Sequence, residues 1–421
     1  MTHPQDLLLD TFRAALAAVD PLQILPRHLP APPPGRTLVV GGGKAAAAMA
    51  AAVENHWPAD APLSGLVVTR YGHSLPTRRI EVVEASHPLP DGRGEAAAGR
   101  MLELAGDLGP DDLLLGLLSG GGSSLLAAPV AGVSLKELRA VTKALLASGA
   151  PIRDINTVRK HLTRFSGGQV TTATQARVCA LILSDVVGND PSDIASGPCA
   201  PDWGTYGDAL AVLARWQVAA PAAVKHHLES GAADRLPDTP KPGDALFRRV
   251  ENRIIGSARE FLAAAADFLA SKGIPVCNLG EVEDDAVRLA HAHAQLVRDH
   301  LAKGNSRPHA WLSGGESTVR VVNPEGRGGR NSTYLLALGL ELTDVPDLWA
   351  LACDSDGIDG SEDNAGALLH PDTLRFPADI DAAARALAEN TVYDFFRTRD
   401  GLVMTGPTRT NVNDFRVVLL T

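Results

Sequence analysis

The sequence predicts an α/β protein made of two α/β domains with mostly parallel sheets. The first observation is the stretch Thr37–Ala50, where an apolar β-favouring run meets three glycines, then Lys44, then an alanine-rich segment of high helix propensity. The second is that apolar strand-like runs alternate with helical patterns along most of the chain, which is typical of parallel sheets. The third is the length of 421 residues, which exceeds one typical core and indicates more than one domain.

Composition and charge argue against several function classes. The net charge is −10 and no run of lysines and arginines offsets it, so nucleic acid is not expected as a partner. An anionic ligand would need a local basic site. Leu113–Leu135 carries no charge, but its glycines, its serines and Pro129 indicate a buried strand and a loop rather than a membrane span. Asp6 and Asp10 precede any lysine or arginine, which does not fit a secretory signal.

The cysteines point to a reducing compartment. They are widely spaced and form no CxxC pair, so neither a disulfide framework nor a zinc site is expected. We therefore expect a cytoplasmic protein in which these cysteines are small core residues: Cys179, Cys199, Cys277 and Cys353.

The first predicted helix precedes the glycine-rich stretch. Leu8, Phe12, Ala15 and Val19 recur at spacings of three and four, so the first twenty residues are expected to form an amphipathic helix that packs through one face.

The first glycine turn is a candidate phosphate site. Gly41, Gly42 and Gly43 let the backbone approach an anion, the following helix N-terminus offers N–H groups, and Lys44 adds a positive charge. The alternative is an ordinary strand-to-helix turn in which Lys44 points into water.

Of two known phosphate-binding sequence patterns, only one matches this turn. A Walker A loop is excluded because Ala45 follows Lys44 and Leu38 occupies the leading glycine position. The dinucleotide pattern G-x-G-x-x-G/A is satisfied by Gly41, Gly43 and Ala46, although this match alone has little specificity.

A second glycine cluster follows another apolar strand. The segment 119–124 offers backbone N–H groups and hydroxyls in a compact nest that suits an anion, and its alternative is a flexible turn. Its residues are Ser119, Gly120, Gly121, Gly122, Ser123 and Ser124.

Charged residues after the second cluster could serve an anionic substrate. Arg159 and Lys160 lie in a short basic segment, which is otherwise typical of a solvated helix face. Asp185 ends the next apolar strand, and Asp190 follows in the loop. Because ligands of α/β sheets bind outside the carboxyl ends of the strands, these aspartates are well placed for a site.

A proline-rich segment near Lys241 separates the predicted domains, which are residues 1–243 and 244–421. In the second domain, the segment 309–322 is expected to form a hairpin-like pair of strands around Gly314 and Glu316. Arg327 and Arg330 stand beside three glycines, a combination that suits an oxyanion.

Two polar loops complete the candidate site residues. Asp354, Asp356 and Asp359 follow another apolar strand, where magnesium contact and simple loop capping both stay open. The polar loop before the last strand contains Asn413, which could line a cleft or bond the neighbouring backbone.

Taken together, these motifs resemble the glycerate 2-kinases of the MOFRL type. They span residues 41–414 in the order GGGKAAAAMA, LLSGGGSS, INTVRKHL, LSDVVGNDPSDIASGP, SGGEST, GGRNS, DSDGIDGSEDNAGA and TGPTRTNVND. Some members of this group carry the label hydroxypyruvate reductase.

The resemblance implies a Rossmann-like N-terminal domain and a C-terminal MOFRL domain with the active site between them, and the first helix is free to pack on the second domain. It implies ATP-dependent phosphorylation of D-glycerate at the 2-hydroxyl, with Lys44 and Arg330 on the positions of the family's active-site lysine and arginine. Three residues depart from the family pattern: Asn189, Ser332 and Arg409. These departures affect the expected geometry of the bound substrate and not the expected class of enzyme.

We therefore expect a kinase with ATP and Mg²⁺ as cofactors. Lys44, Arg330 and Asp185 are the expected catalytic residues, with Asp190 as the alternative base. Substrate is expected on Arg159, Lys160 and Asn413, and metal on Asp190 and Asp356. The residues expected to bind phosphates are Gly41, Gly42, Gly43, Ser119, Gly120, Gly121, Gly122, Ser123, Gly314 and Glu316.

Two other functions stay open. An NAD(P)H-dependent hydroxypyruvate reductase is supported only by the G-x-G-x-x-A turn, and Thr69-Arg70 rather than an acidic residue ends its second strand. A non-catalytic sensor of phosphorylated metabolites would bind the same ligands without turnover. The oligomeric state is open, with a homodimer as one option.

Overall fold

The computed structural model describes residues 3–421, which divide into two compact units. The first unit is Pro21–Ile255, and the second combines the segment that ends at Asp20 with Gly256–Thr421. The sequence-based boundary at 243/244 therefore differs from the boundary of the compact units by twelve residues, because the strand that begins at Val250 joins the first sheet.

Strands and helices alternate along most of the chain. The strands are β1 Thr37–Gly42, β2 Leu63–Arg70, β3 Ile80–Ala85, β4 Leu113–Ser119, β5 Arg177–Leu183, β6 Val250–Gly256, β7 Val276–Glu281, β8 Asp284–Asp285, β9 His309–Gly314, β10 Ser317–Thr318, β11 Leu348–Asp354, β12 Gly366–Leu369, β13 Leu402–Val403 and β14 Asp414–Leu420. The helices are α1 Pro4–Ala18, α2 Pro21–Ile24, α3 Ala46–His56, α4 Gly92–Gly106, α5 Gly122–Leu125, α6 Leu135–Ala147, α7 Ile152–Lys160, α8 Gln169–Thr172, α9 Tyr206–Arg215, α10 Ala222–Ala232, α11 Ala258–Ser271, α12 Ala286–Ala302, α13 Arg330–Glu341, α14 Pro377–Ala388 and α15 Val392–Arg397.

The first unit contains a sheet with the strand order β3-β2-β1-β4-β5-β6, and each neighbouring pair from β3 to β5 is parallel. Every residue of β1 and β4 is buried, as expected for central strands covered on both faces. The order of connection reverses between β1 and β4. This topological switch point is where open α/β sheets bind their ligands.

The second unit contains a sheet with the order β13-β12-β11-β14-β9-β7, and in this sheet the prediction of mostly parallel strands is wrong. Only the pair β7 and β9 is parallel, whereas β14 runs antiparallel to both β11 and β9. The final strand inserts into the middle of this sheet, a pairing that single-strand patterns do not encode.

The predicted hairpin in the segment 309–322 is also wrong. Ser317–Thr318 pairs in parallel with Asp284–Asp285 instead of folding back on β9. Gly315 has φ 89° and packs closely on Val282, where an added Cβ would lie 2.5 Å from the Val282 carbonyl oxygen. This turn directs the chain away from β9.

The N-terminal helix α1 belongs to the second unit through an aromatic cluster. The ring of Phe12 lies 6.2 Å from that of Phe261 and 5.3 Å from that of Phe415, and all three side chains are buried. The amphipathic helix predicted for the first twenty residues is confirmed over Pro4–Ala18.

Three of the four cysteines are buried, as the sequence predicts. Cys179, Cys199 and Cys353 are buried core residues, but Cys277 is exposed on β7. Within residues 3–421, no helix combines the length and the apolar character that crossing a bilayer requires.

Candidate active site

The two glycine turns lie side by side at the switch point of the first sheet. Gly42 of β1 is opposite Leu118 of β4, so the turns that follow these strands emerge at the same edge. We call residues 41–44 the first glycine turn and residues 119–123 the second. The sequence predicted each turn as an anion site but did not show that they are neighbours.

Hydrogen bonds join the first glycine turn to its surroundings. The amide of Lys44 donates to the Gly120 carbonyl at 2.8 Å, and the amide of Gly43 donates to the Val68 carbonyl at 3.0 Å. The amide of Ala45 donates to Ser119 Oγ at 3.1 Å. These N–H groups donate within the protein, and the expectation that this turn holds phosphate stays a prediction.

The glycines of the first turn allow close packing. An added Cβ on Gly41 would lie 2.0 Å from the Leu117 carbonyl oxygen, and one on Gly43 would lie 2.1 Å from Ser119 Oγ. Both residues have positive φ, 154° and 140°, which favours glycine. They let the two turns meet.

The second glycine turn keeps amide donors available. Gly121 has φ 81° and precedes α5, and within residues 3–421 no acceptor is recorded for the amides of Gly122 and Ser123. These are the first N–H groups of a helical turn, so they can donate to a phosphate oxygen.

Lys44 and His87 both lie next to Gly121. An added Cβ on Gly121 would lie 2.9 Å from the imidazole Nε2 of His87 and 3.5 Å from Cγ of Lys44. The lysine side chain and the histidine ring thus border the turn whose amides are available. His87 follows β3 and was not among the predicted site residues.

A hydrogen-bonded chain connects the second turn to α7. Ser123 Oγ and Ser196 Oγ are 2.7 Å apart, and Ser196 Oγ donates to Asn156 Oδ1 at 3.1 Å. Asn156 Oδ1 also accepts from the Arg159 guanidinium at 3.0 Å. Ser196 is fully buried, whereas Ser123 is partly exposed.

Arg159 and Lys160 have different surroundings. Burial lowers the pKa of the Arg159 guanidinium to about 10, so it stays charged at neutral pH, and no carboxylate within residues 3–421 is recorded as its ion-pair partner. The Lys160 ammonium is buried and lies 3.3 Å from Asp202. Arg159 is therefore the better anion-binding candidate, because Lys160 is already neutralised.

The two candidate aspartates of the first unit, Asp185 and Asp190, lie in different surroundings. Leu183 is opposite Ser119 in the sheet, so Asp185 leaves β5 at the edge that carries the second turn. Asp190 is exposed, accepts from the Ser192 amide at 2.8 Å, and lines a cavity of about 400 Å³ beside Trp203. None of the residues that line this cavity comes from a glycine turn.

In the second unit, Arg330 stands at the start of α13 among three carboxylates. Its Nε donates to Asp414 and a terminal nitrogen donates to Asp354, both at 2.8 Å, while Glu316 pairs with the other terminal nitrogen. The side chain of Arg330 is 21% exposed. Burial acts against its charged form, but these carboxylates raise the pKa of Arg330 well above its usual value.

Asp414 is the centre of this arginine cluster. It is fully buried and also accepts from Asn331, Ser317 and Arg416. Burial alone would raise the pKa of Asp414, but the guanidinium groups of Arg330 and Arg416 hold it below the usual range. The carboxylate is thus a fixed anchor for both arginines.

The N-terminus of α13 is occupied by a carboxylate of the same unit. Asp359 accepts from the amides of Asn331 and Ser332, each at 2.9 Å, and from the Ser332 hydroxyl. Burial raises the pKa of Asp359 despite these hydrogen bonds. A phosphate is not expected at this helix end, because its amides are already used.

The remaining predicted residues of the second unit are distributed around the same loops. The Gly314 carbonyl accepts from Arg416, Asp356 accepts from the Ile358 amide at 2.8 Å, and the Asn413 carbonyl accepts from the Ser355 amide at 3.0 Å. Within residues 3–421, no three metal-binding side chains converge. The metal roles of Asp190 and Asp356 stay predictions.

Sequence reasoning missed several residues of these clusters. Two of them, His87 and Asp414, carry a detectable signal because they lie next to strand ends. For Asn156 and Ser196, the only signal in the sequence is that they lie in polar motifs. Their hydrogen bond to each other depends on the fold.

Comparisons with known proteins agree with this architecture. A family model described as a domain of unknown function matches residues 7–229, and one described as the MOFRL family matches residues 309–414. A protein of Agrobacterium vitis that carries hydroxypyruvate reductase as a provisional name is 45% identical over 97% of this chain and 93% of its own length. The D-glycerate 2-kinase of Thermotoga maritima is 37% identical over 85% of this chain and 84% of its own length.

A solved structure is similar over the whole chain. The crystal structure of glycerate kinase from Thermotoga maritima has a TM-score of 0.86 and 34% sequence identity, and the match covers 99% of both chains.

Proposed function

Because this chain belongs to the MOFRL family and is similar over most of its length to the D-glycerate 2-kinase of Thermotoga maritima, we propose that it transfers the γ-phosphoryl group of ATP to the 2-hydroxyl of D-glycerate. One observation carries the proposal. The Cγ of Lys44 lies next to Gly121 at the switch point of the first sheet, and the amides of the two residues that follow, Gly122 and Ser123, are available, so a lysine and two hydrogen-bond donors lie at the same strand ends.

The reaction needs few covalent steps from the protein. The 2-hydroxyl oxygen forms a bond to the γ-phosphorus, the bond from that phosphorus to the β,γ-bridging oxygen breaks, ADP leaves, and the hydroxyl proton passes to a base. Such transfers depend mainly on alignment and on neutralising phosphate charge. Mg²⁺ would enter with ATP as the MgATP substrate and neutralise part of the phosphate charge.

The first unit supplies groups for most of these needs. We assign Lys44 and the amides of Gly122 and Ser123 to the phosphates, and Arg159 to the glycerate carboxylate, because it is a charged group with no recorded carboxylate partner within residues 3–421. Asp185 is the better candidate for the base, since it follows β5 at the edge of the sheet that carries the second glycine turn, whereas Asp190 lines a different cavity.

Arg330 can act only with part of its guanidinium. Three of its five N–H donors are used by Glu316, Asp354 and Asp414. We assign the other two to phosphate oxygens. The carboxylates hold the side chain in one orientation, which lowers the conformational cost of binding.

The direct test is an assay with ATP, Mg²⁺ and D-glycerate in which ADP is detected. The product is then offered to enolase without phosphoglycerate mutase, and direct conversion identifies the 2-phosphate. Formation of ADP without conversion by enolase would contradict the 2-position, and absence of ADP formation by folded protein would contradict the kinase.

A hydroxypyruvate reductase is the second candidate because of the name that the Agrobacterium vitis relative carries. The geometry supports it less well. A dinucleotide site presents free amides of the first strand-to-helix turn to the pyrophosphate, whereas the amides of Lys44 and Ala45 are used by Gly120 and Ser119. Consumption of NADPH with hydroxypyruvate would favour the reductase.

A further inference from the structure

We propose, on the basis of the proposed kinase function, that Ser123 Oγ accepts a hydrogen bond from the 2-hydroxyl of the glycerate substrate. Asn156 and Ser196 are then positioning residues, because they orient the Ser123 proton toward Ser196 and leave the Ser123 oxygen as an acceptor. The observation behind it is the hydrogen-bonded chain from Arg159 through Asn156 and Ser196 to Ser123.

The direction of the chain follows from its first member. A guanidinium can only donate hydrogen bonds, so the atom of Asn156 that contacts Arg159 at 3.0 Å must be the amide oxygen. That oxygen is also 3.1 Å from Ser196 Oγ, and it can only accept. The single proton of Ser196 is therefore donated to Asn156.

The donor in the hydrogen bond between Ser123 and Ser196 follows from this. Ser123 Oγ lies 2.7 Å from Ser196 Oγ, and one of the two hydroxyls must donate. Since the Ser196 proton is used, Ser123 donates to Ser196. The lone pairs of Ser123 Oγ then remain for another group, and this side chain is partly exposed whereas Ser196 and Asn156 are buried.

An oxygen that can only accept does not suit a phosphate, which is also an acceptor. It suits an alcohol, because in the bound substrate, before transfer, the alcohol donates its proton to Ser123 Oγ and its own lone pairs can then face the phosphorus. The proton leaves to the base only as the bond to phosphorus forms. The amides of Gly122 and Ser123 are donors on the same turn. Donors for phosphate and an acceptor for the alcohol thus lie next to each other, as transfer between the two groups requires.

Backbone strain supports a functional role for Ser196. Ala195 and Ser196 have φ 52° and 60°, and both precede Gly197 at φ 63°. Consecutive non-glycine residues in the left-handed region are costly, and such strain concentrates at functional sites. In this loop it points the buried Ser196 hydroxyl between Ser123 and Asn156.

The test compares Ser123→Ala, Ser196→Ala and the double variant with Ser148→Ala as the matched control. Ser148 donates only to the Leu145 carbonyl at the end of α6. We expect each single variant to raise KM for D-glycerate roughly 3- to 10-fold, the value of one neutral hydrogen bond, with KM for ATP unchanged. The double variant should be no worse than Ser123→Ala, because both changes remove the same contact.

Binding measurements identify the hydroxyl. Titration calorimetry without nucleotide should show that Ser123→Ala weakens D-lactate, which keeps the 2-hydroxyl, but not 3-hydroxypropionate, which lacks it. Equal effects on both acids, a raised KM for ATP, or additive losses in the double variant would each overturn the inference. If the unaltered protein forms no ADP from ATP and D-glycerate, the proposed function fails instead.

Discussion

The Oγ atom of Ser119 accepts a hydrogen bond from the backbone amide of Ala45 at 3.1 Å. This contact joins the end of β4 to the start of α3 and satisfies one of the amides that a helix N-terminus leaves without a partner. It holds Lys44 beside the second glycine turn. The lysine is thus positioned by a residue that is distant in the chain.

Replacing Ser119 with alanine should affect both stability and ATP use. The buried amide of Ala45 would lose its acceptor, which costs about 1–3 kcal/mol of unfolding free energy. We expect a higher KM for ATP because the first turn can shift. Urea unfolding and steady-state kinetics measure these effects, with the exposed Ser64→Ala as control. An unchanged KM for ATP would mean that this contact does not position Lys44.

Replacing Lys44 with alanine should remove a positive charge from the transferring phosphoryl group. We expect kcat to fall about 100-fold or more, as when one transition-state donor is removed, with little change in stability. The measurement is ADP formation, and Lys143→Ala on the exposed face of α6 is the control. A kcat close to that of the unaltered protein would exclude Lys44 from the mechanism.

Replacing Arg330 with alanine should destabilise the protein in a pH-dependent way. Removing this guanidinium takes away an ion-pair partner that the buried Asp354 and Asp414 share, which costs about 3–5 kcal/mol at neutral pH. Arg330 helps to hold the pKa of Asp414 low, and that contribution to stability exists above the unfolded pKa of a carboxyl and is lost as pH falls. The difference between the variant and the unaltered protein should therefore shrink below about pH 4.

Urea unfolding at pH 7 and in acid measures this change. Arg330→Lys keeps a positive charge without the forked donor geometry, so it should recover part of the stability but little activity. A pH-independent loss of stability in Arg330→Ala would show that packing, and not charge, is the main contribution of Arg330.

Replacing His293 should change the acid stability of the second unit. His293 is buried and lies 2.7 Å from the Tyr334 hydroxyl, and burial lowers its pKa from 6.5 to about 4. The unfolded chain binds a proton below pH 6.5 that the folded state does not take up until about pH 4, so stability falls as pH drops across this window. The loss is on the order of 3 kcal/mol.

His293→Gln keeps a hydrogen-bonding group near Tyr334 but does not titrate. Its unfolding free energy should therefore vary less between pH 6.5 and pH 4 than that of the unaltered protein. Urea unfolding at several pH values measures the slope, and identical slopes would contradict this role for His293.

Replacing Phe12 with alanine should loosen the attachment of α1 to its unit. Phe12 is buried against Phe261 and Phe415, and truncation of a buried phenylalanine costs about 3–5 kcal/mol. The neighbouring Arg13→Ala lies on the exposed face and should have a small effect. Equal stabilities of the two variants would contradict a packing role for Phe12.

The sequence by itself determined the local features of this protein. Glycines, a lysine and an alanine-rich segment encode a strand, a turn and a helix through backbone freedom and helix propensity, and the periodicity of residues 1–20 encodes α1. The order and spacing of the motifs were also sufficient to indicate the family.

Only the tertiary structure decided which groups are available for binding. The amides of the first glycine turn, Lys160 and the N-terminus of α13 all looked suitable for an anion, but Gly120, Asp202 and Asp359 occupy them. The antiparallel pairing of β14 and the direction of the hydrogen bond from Ser123 likewise depend on partners distant in sequence. A local pattern specifies donors and acceptors, whereas the long-range fold determines which of them are already satisfied.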